Sequence, residues 1–224
     1  MSEQQTEQSI PTHNLTVDTF PVGPLQCNCT IIGDPTTKQA IVVDPGGDSQ
    51  VILDRLAAQE YTVDRILHTH AHFDHFLASG EMKKATGAPL ALHKEDKPLW
   101  DNLEMQCNRF SIPFTPVPAP DQWIDHEEEL SLNHTCCGQA LHTPGHTPGS
   151  TSFYFENLKL LIAGDTLFKG AIGRTDLWGG DFPTIEHSIK THLYTLDETA
   201  TVITGHGPAT VLGDEMRSNP FVQA

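Results

Sequence analysis

The chain has 224 residues, of which 38% are hydrophobic, enough to bury a core. Its formal net charge of −16 argues against binding to nucleic acid or anionic membranes, because both repel an acidic surface. Residues 1–12 contain no apolar signal segment, no stretch has the roughly 20 apolar residues that span a bilayer, and five cysteines are too few for a disulfide framework. We therefore expect a cytoplasmic globular protein, a monomer or small homo-oligomer, that acts on a small molecule.

The first half of the chain alternates predicted strands with predicted helices. Short apolar or alternating runs predict strands at residues 15–20, 28–32, 39–43, 65–68 and 89–92. Helical spacing of apolar residues predicts helices from Asp48, as N-terminal cap, to about Glu60, and at residues 76–86 and 95–106. The proline-rich residues 110–121 are predicted to be irregular and to cover a cleft.

Strands dominate the prediction for the second half. They are predicted at residues 129–132, 140–143, 151–155, 159–163 and 201–204, with one helix carrying Ile185, Ile189, Leu193 and Leu196. No repeat or flexible linker divides the chain, so we expect one domain over residues 1–224, with a flexible tail at residues 1–13. Both halves contain strands and amphipathic helices. The predicted fold is therefore α/β, a four-layer αββα sandwich with two sheets face to face and helices outside.

Four residues of metal-binding types occur within six positions. They are His70, His72, Asp74 and His75. In an extended segment His70 and His72 point the same way, whereas Asp74 and His75, at the turn into a helix, face another direction. This spacing suits two adjacent metal ions. The alternative is a polar loop or helix cap with incidental histidines, but these are the ligand types that zinc prefers.

Three further candidates follow predicted strands downstream. They are His146, Asp165 and His206, each with a glycine beside it. Glycine permits the close backbone approach and unusual φ that a loop needs to present a side chain to a fixed ion. Each residue alone would be an ordinary loop residue. Their occurrence together with residues 70–75 indicates a metal centre.

Five phrases of the sequence are similar to motifs of the metallo-β-lactamase superfamily and, within it, of the glyoxalase II-like hydrolases. They are Val43-Asp44-Pro45-Gly46-Gly47, Thr69-His70-Ala71-His72-Phe73-Asp74-His75, Pro144-Gly145-His146-Thr147-Pro148-Gly149, Gly164-Asp165-Thr166-Leu167-Phe168 and Gly205-His206-Gly207-Pro208. The resemblance extends from about Leu15 to Phe221 and implies the metallo-β-lactamase fold. It also implies the following ligands: His70, His72 and His146 for one metal, Asp74, His75 and His206 for the other, and Asp165 as the bridge.

A further phrase, Gly173-Arg174-Thr175-Asp176 followed by Gly179-Gly180-Asp181, resembles the short single-domain bacterial branch of the glyoxalase II-like group. Two-domain glyoxalase II has a C-terminal helical domain with basic residues for glutathione, which we expect this chain to lack. Where that enzyme has a lysine and then a tyrosine, this chain has Arg174 and Asp176. Arg174 and Lys169 are the predicted substrate-binding cations, and the alternative for each is a solvated loop cation.

The predicted activity is hydroxyacylglutathione hydrolase-like, that is, hydrolysis of a thioester such as S-lactoylglutathione or a related acyl-glutathione. Two divalent metal ions, zinc by preference with iron or manganese as alternatives, would lower the pKa of bound water from 15.7 to roughly 7. A metal-bridging hydroxide would then attack the carbonyl, with Asp74 orienting it.

Two other functions remain open. A mononuclear iron persulfide dioxygenase acting on glutathione persulfide belongs to a family that resembles this chain in the same phrases, and would need one iron per chain. A non-catalytic metal-binding protein on this fold is the third hypothesis, because fold does not fix function.

Several neighbouring residues receive weaker predictions. By the same resemblance Asp44 supports the metal loops, with an ordinary turn carboxylate as the equal alternative. His68 and His142 are predicted not to be ligands, because His68 breaks the motif register and His142 lacks the Pro-Gly element. Cys136 and Cys137 have no partner pair at metal spacing, so they are predicted to be buried or incidental thiols.

Overall fold

The computed structural model describes residues 15–224, so the flexible tail predicted for residues 1–13 lies outside the described residues. The first half forms β1 (Thr16–Val22), β2 (Cys27–Asp34), β3 (Gln39–Val43), α1 (Ser49–Ala58), β4 (Thr62–Leu67), α2 (Phe73–Phe76), α3 (Ser79–Thr86), β5 (Leu90–His93), α4 (Lys97–Asp101), α5 (Leu103–Arg109) and β6 (Gln122–Ile124). The second half forms β7 (Glu129–Leu132), β8 (Thr135–His142), β9 (Thr151–Phe155), β10 (Leu160–Gly164), β11 (Leu167–Phe168), β12 (Ala171–Ile172), α6 (Phe182–Ser188), β13 (Thr201–Thr204), β14 (Thr210–Val211) and α7 (Leu212–Ser218). Within residues 15–224, no helix combines the length and apolar character needed to cross a membrane.

The strands form two six-stranded mixed sheets. The first has the order β1-β2-β3-β4-β5-β6, antiparallel up to β3 and parallel beyond it. The second has the order β14-β13-β10-β9-β8-β7, in which β10 and β13 are parallel and the other pairs antiparallel. Strands β11 and β12 form a small separate hairpin.

Three hydrophobic cores separate four layers. Successive residues of a strand point to opposite faces, so in β3 Ile41 faces the core between the sheets while Val42 faces a core shared with α1, α3, α4 and α5. In β10 Ile162 faces the core between the sheets, and Leu161 packs in a third core with residues of α6 and α7. The predicted four-layer αββα sandwich is confirmed.

The candidate ligands follow strands that end at one edge of the sandwich. The stretch of residues 68–75, a loop that continues into α2, follows β4, while Asp165 follows β10 and His206 follows β13. The backbone N–H of Thr151 donates to the carbonyl of Thr69 at 2.8 Å, which ties the two sheets together at this edge. Loops from both halves of the chain therefore meet there.

Two predicted helices differ from those observed. The helix predicted for residues 76–86 begins three residues earlier, at Phe73, and is interrupted before α3. The helix predicted for residues 95–106 is divided into a 3-10 turn, α4 and α5. Pro98 explains the first break, because it lacks an N–H and its ring clashes with the preceding turn, so it fits the first turn of a new helix.

Asp48 does not cap α1 with its side chain. Its φ is +48°, in the left-handed region, and its carboxylate instead accepts a hydrogen bond from the backbone N–H of Gly23 at 2.8 Å. The strands β6, β11, β12 and β14 and the helix α7 were not predicted. They are short elements held by their neighbours, so they carry little periodicity of their own.

Candidate metal centre

The first ligand set brings together three imidazole rings. The Nε2 of His70 lies 3.1 Å from the Nδ1 of His72, which lies 2.9 Å from the Nε2 of His146. His70 and His72 come from the extended stretch before α2, and His146 comes from the loop after β8. The three side chains predicted to share a metal are thus adjacent, with ligand atoms within 4.8 Å of one another.

The second set is formed by Asp74, His75 and His206, again with ligand atoms within 4.8 Å of one another. The Nε2 of His206 lies 3.0 Å from Asp74 Oδ2 and 3.2 Å from the Nε2 of His75. Asp74 and His75 occupy the first turn of α2. They do not face fully away from the first set as the sequence predicted, because the His75 ring packs against that of His70 with centroids 4.1 Å apart.

Asp165 lies between the two sets. Its Oδ2 is 3.6 Å from His146 Nε2, and its Oδ1 is 3.5 Å from His75 Nε2. Oδ1 is buried and accepts no hydrogen bond of normal geometry from residues 15–224. A carboxylate in this position can contribute one oxygen to each set, as expected of a bridging ligand.

The hydrogen bonds made by Nδ1 of two of the histidines are compatible with a cation bound at their Nε2 atoms. The Nδ1–H of His146 donates to the carbonyl of Arg174 at 2.8 Å, and that of His206 donates to the carbonyl of Leu25 at 3.0 Å. A carbonyl only accepts, so in the neutral form of each ring the lone pair is on Nε2, which is directed at the other candidate ligands. Two nitrogens bound tetrahedrally to one zinc are separated by roughly 3.3 Å, close to the spacing here. The residues present therefore fit divalent ions.

The first set and Asp165 also favour the protonation states that metal binding requires, whereas in the second set, against the effect of burial, neighbouring acidic groups raise the pKa of His75 and His206. Burial lowers the pKa of His70 well below its ordinary value, and burial together with His146 lowers that of His72 to about 3. Burial alone would raise the pKa of Asp165, but His75 and His146 hold it well below its ordinary value. Neutral imidazoles and an ionised carboxylate are the forms that bind metal ions.

The side chains of Asp44 and Cys27 both contact the Nδ1 atom of His75. The carboxylate of Asp44 accepts hydrogen bonds from the backbone N–H and the hydroxyl of Thr69, at 2.7 and 2.6 Å, and lies 3.0 Å from His75 Nδ1. The Sγ of Cys27 lies 3.4 Å from the same nitrogen, and burial raises the pKa of this thiol to about 12. Asp44 thus orients both the motif loop and a ligand. Sequence reasoning did not single out Cys27, since a lone cysteine on a strand resembles a core residue.

Asp96 is the principal residue that sequence reasoning missed. It is completely buried, and its Oδ2 accepts hydrogen bonds from the backbone N–H of Ala71 at 2.9 Å and the hydroxyl of Thr147 at 2.8 Å. Its Oδ1 accepts from the backbone N–H of Gly149 at 2.6 Å. Asp96 therefore joins the loop of His70 and His72 to the loop of His146.

A cavity of about 300 Å³ opens beside the ligands. Arg174 lines it, but its guanidinium is paired with Asp176 through two hydrogen bonds of 2.9 Å. Lys169 is exposed in the turn between β11 and β12 and is not among the described residues that line the cavity. The structure thus brings Arg174, but not Lys169, to the cavity, and both substrate contacts remain predictions.

The side chains that were predicted not to be ligands lie outside the two sets. His68 is buried, with ring nitrogens 2.9 Å from the Ala91 carbonyl and 2.8 Å from the Ser79 hydroxyl. His142 stacks on His93 with ring centroids 3.9 Å apart, and its Nε2 lies 2.8 Å from the carbonyl oxygen of Pro148.

Comparison with known proteins identifies the family. The model of the metallo-beta-lactamase superfamily matches residues 22–206. The chain belongs to this superfamily. Its members bind divalent metal ions, in agreement with the cluster of histidines and aspartates.

Relatives within the superfamily match nearly the whole chain. Hydroxyacylglutathione hydrolase GloC of Haemophilus influenzae is 36% identical over 211 residues, which make up 94% of this chain and 99% of that protein. The BLEG-1 B3 metallo-beta-lactamase has a similar structure, with a TM-score of 0.86, 35% identity and coverage of 93% of this chain and 100% of that one. TTHA1623, solved in a di-iron-bound form, has a TM-score of 0.84 and 33% identity, with 92% and 100% coverage.

Proposed function

We propose that the protein is a binuclear metal-dependent hydrolase of the glyoxalase II type, which cleaves S-lactoylglutathione or a related acyl-glutathione. The observation that carries the proposal is the position of Asp165 between two complete ligand sets. The relationship to GloC supports glutathione thioesters as the substrate class. Zinc is the proposed metal, because the ligands are imidazoles and carboxylates, and the cytoplasm is the proposed location.

The residues have distinct roles in this proposal. His70, His72 and His146 would hold one ion, Asp74, His75 and His206 the other, and Asp165 both. Divalent ions in such a site activate water as a nucleophile and polarise the carbonyl that it attacks. Asp74 also lines the cavity, so its carboxylate would accept a hydrogen bond from the attacking water and orient it. The thiol carrier would lie toward the exposed Arg174.

The test combines activity with metal content. Metal-replete protein should hydrolyse S-lactoylglutathione, as followed by release of free thiol, and should contain two ions per chain. His72→Ala should lose both properties. His142→Ala is the matched control: it removes a nearby histidine outside both sets and should keep two ions and most of the activity.

The same measurements distinguish the persulfide dioxygenase. One iron per chain, oxygen consumption with glutathione persulfide and no thioester hydrolysis would overturn the proposal in its favour. Iron content alone would not overturn the proposal, because the similar protein TTHA1623 was solved in a di-iron-bound form.

A further inference from the structure

The cavity beside the ligands has apolar walls. Six hydrophobic side chains from separate parts of the chain line it: Leu25, Phe73, Phe110, Phe168, Ile172 and Leu177. Its volume of about 300 Å³ gives room for roughly ten non-hydrogen atoms, at about 30 Å³ each. It can therefore hold an apolar group of several carbons attached to the reacting carbonyl.

The polar side chains of the wall, other than the ligands, already have partners. The Gln106 amide donates to the carbonyls of Ala71 and Leu99, at 3.0 and 2.8 Å, and accepts from the backbone N–H of Phe73 at 3.0 Å. Arg174 is held at the exposed rim by Asp176. A hydroxyl or charged group inside the cavity would lose water without gaining a partner from either side chain, which is unfavourable.

We infer that the enzyme selects thioesters by an apolar acyl group, with the charged peptide of the thiol carrier left at the rim. This inference rests on the proposed function and specifies its substrate class. Each methylene moved from water into an apolar site is worth about fourfold in affinity. If that gain is kept in the transition state, specificity should rise with acyl length until the cavity is full.

The first experiment compares acyl groups on the same thiol. We expect kcat/KM to rise about three- to fourfold per methylene from S-acetyl- through S-butyryl- to S-hexanoylglutathione. S-isobutyrylglutathione should exceed S-lactoylglutathione, in which a hydroxyl replaces one methyl, by about fivefold or more. A flat series, or one in which the lactoyl thioester is best, would overturn the inference and leave the proposed function standing. No hydrolysis of any thioester would instead overturn the proposed function.

The second experiment tests the wall directly. Phe110 is 52% exposed and packs on Phe73 with ring centroids 5.0 Å apart, so Phe110→Ser removes apolar wall at little cost to folding. It should lower the hexanoyl-to-acetyl ratio of kcat/KM by about fivefold. Phe114→Ser is the matched control, because Phe114 is exposed in the same loop but is not among the residues that line this cavity, so the ratio should not change. Equal ratios in wild type and Phe110→Ser would contradict the inference.

Discussion

The carboxylate of Asp96 lies 2.9 Å from the backbone nitrogen of Ala71, the residue between the candidate ligands His70 and His72. The same carboxylate binds Thr147 and Gly149, on the far side of His146. One buried side chain therefore fixes the relative position of two loops that come from different halves of the chain. This positions the three candidate ligands of the first set without a contribution from an ion.

Asp96→Ala should weaken both folding and metal binding. It leaves the buried backbone N–H groups of Ala71 and Gly149 without an acceptor and removes one partner of the Thr147 hydroxyl, which we expect to lower the free energy of unfolding by about 3 kcal/mol. Loss of such a support typically reduces metal affinity by 10- to 100-fold. Urea unfolding and competition with a chelator measure the two effects. Asp101→Ala, which removes an exposed partner of Lys97, is the control and should cost less than about 0.5 kcal/mol. Equal metal affinity in both variants would exclude the positioning role.

Gly205 lies so close to the carboxylate of Asp165 that a residue with a side chain does not fit at this position. A Cβ on Gly205 would lie 1.9 Å from Asp165 Oδ1, whereas a Cβ on Gly207 would have no atom within 4 Å but would be strained by a φ of +73°. Gly205→Ala should therefore displace Asp165 and lower the metal content below two ions per chain. Gly207→Ala should lose about 1 kcal/mol of stability and keep the ions. Elemental analysis and thermal unfolding of both variants separate these effects, and full metal content in Gly205→Ala would contradict the role of Asp165.

The sequence predicted which side chains the fold brings together, because their signal is local. His70, His72, Asp74 and His75 are neighbours in sequence, and glycines beside His146, Asp165 and His206 indicate loops that approach closely. The αββα arrangement was also predictable, because strand and helix periodicities persist over whole elements.

Residues whose roles depend on distant backbone groups could not be predicted. Asp96 follows β5 in a run of charged residues, and nothing near it indicates that it binds the N–H groups of Ala71 and Gly149. The pairing of Arg174 with Asp176 was equally hidden, because two charges separated by one residue face each other only when the loop turns. Such contacts arise from tertiary structure, which local patterns do not encode.

His93 should make the stability pH-dependent. Burial and the stacked ring of His142 lower its pKa to about 4, and Lys94, Glu95, Asp125 and His126 are other charged or titratable groups near it. An unfolded histidine has a pKa near 6.5, so the folded state prefers the neutral ring. The neutral ring therefore contributes to the free energy of unfolding above about pH 6.5. This contribution, up to about 3 kcal/mol, is lost as the pH falls through about 4.

The measurement compares wild type with His93→Gln by urea unfolding at pH 7.5 and 4.5, with chelator present throughout so that metal loss cancels. Between pH 7.5 and 4.5 the free energy of unfolding of the wild type should fall by about 2 kcal/mol more than that of the variant. An equal fall in the free energy of unfolding of the two proteins would show that the pKa of His93 is not lowered by folding.

Asp176 should limit how strongly Arg174 attracts an anionic substrate. Asp176→Asn frees the guanidinium at the rim of the cavity, so the KM for an acyl-glutathione should fall about two- to fivefold at low ionic strength, with kcat little changed. The gain should shrink as salt is added, because exposed charges are screened. Asp214→Asn is the control, since it makes the same change of net charge and removes one of the two carboxylate partners of the similarly exposed Arg217 on α7, outside the residues that line the cavity. An unchanged KM in Asp176→Asn would mean that Arg174 does not attract the thiol carrier, and an equal fall in both variants would assign the effect to net charge instead of to this pair.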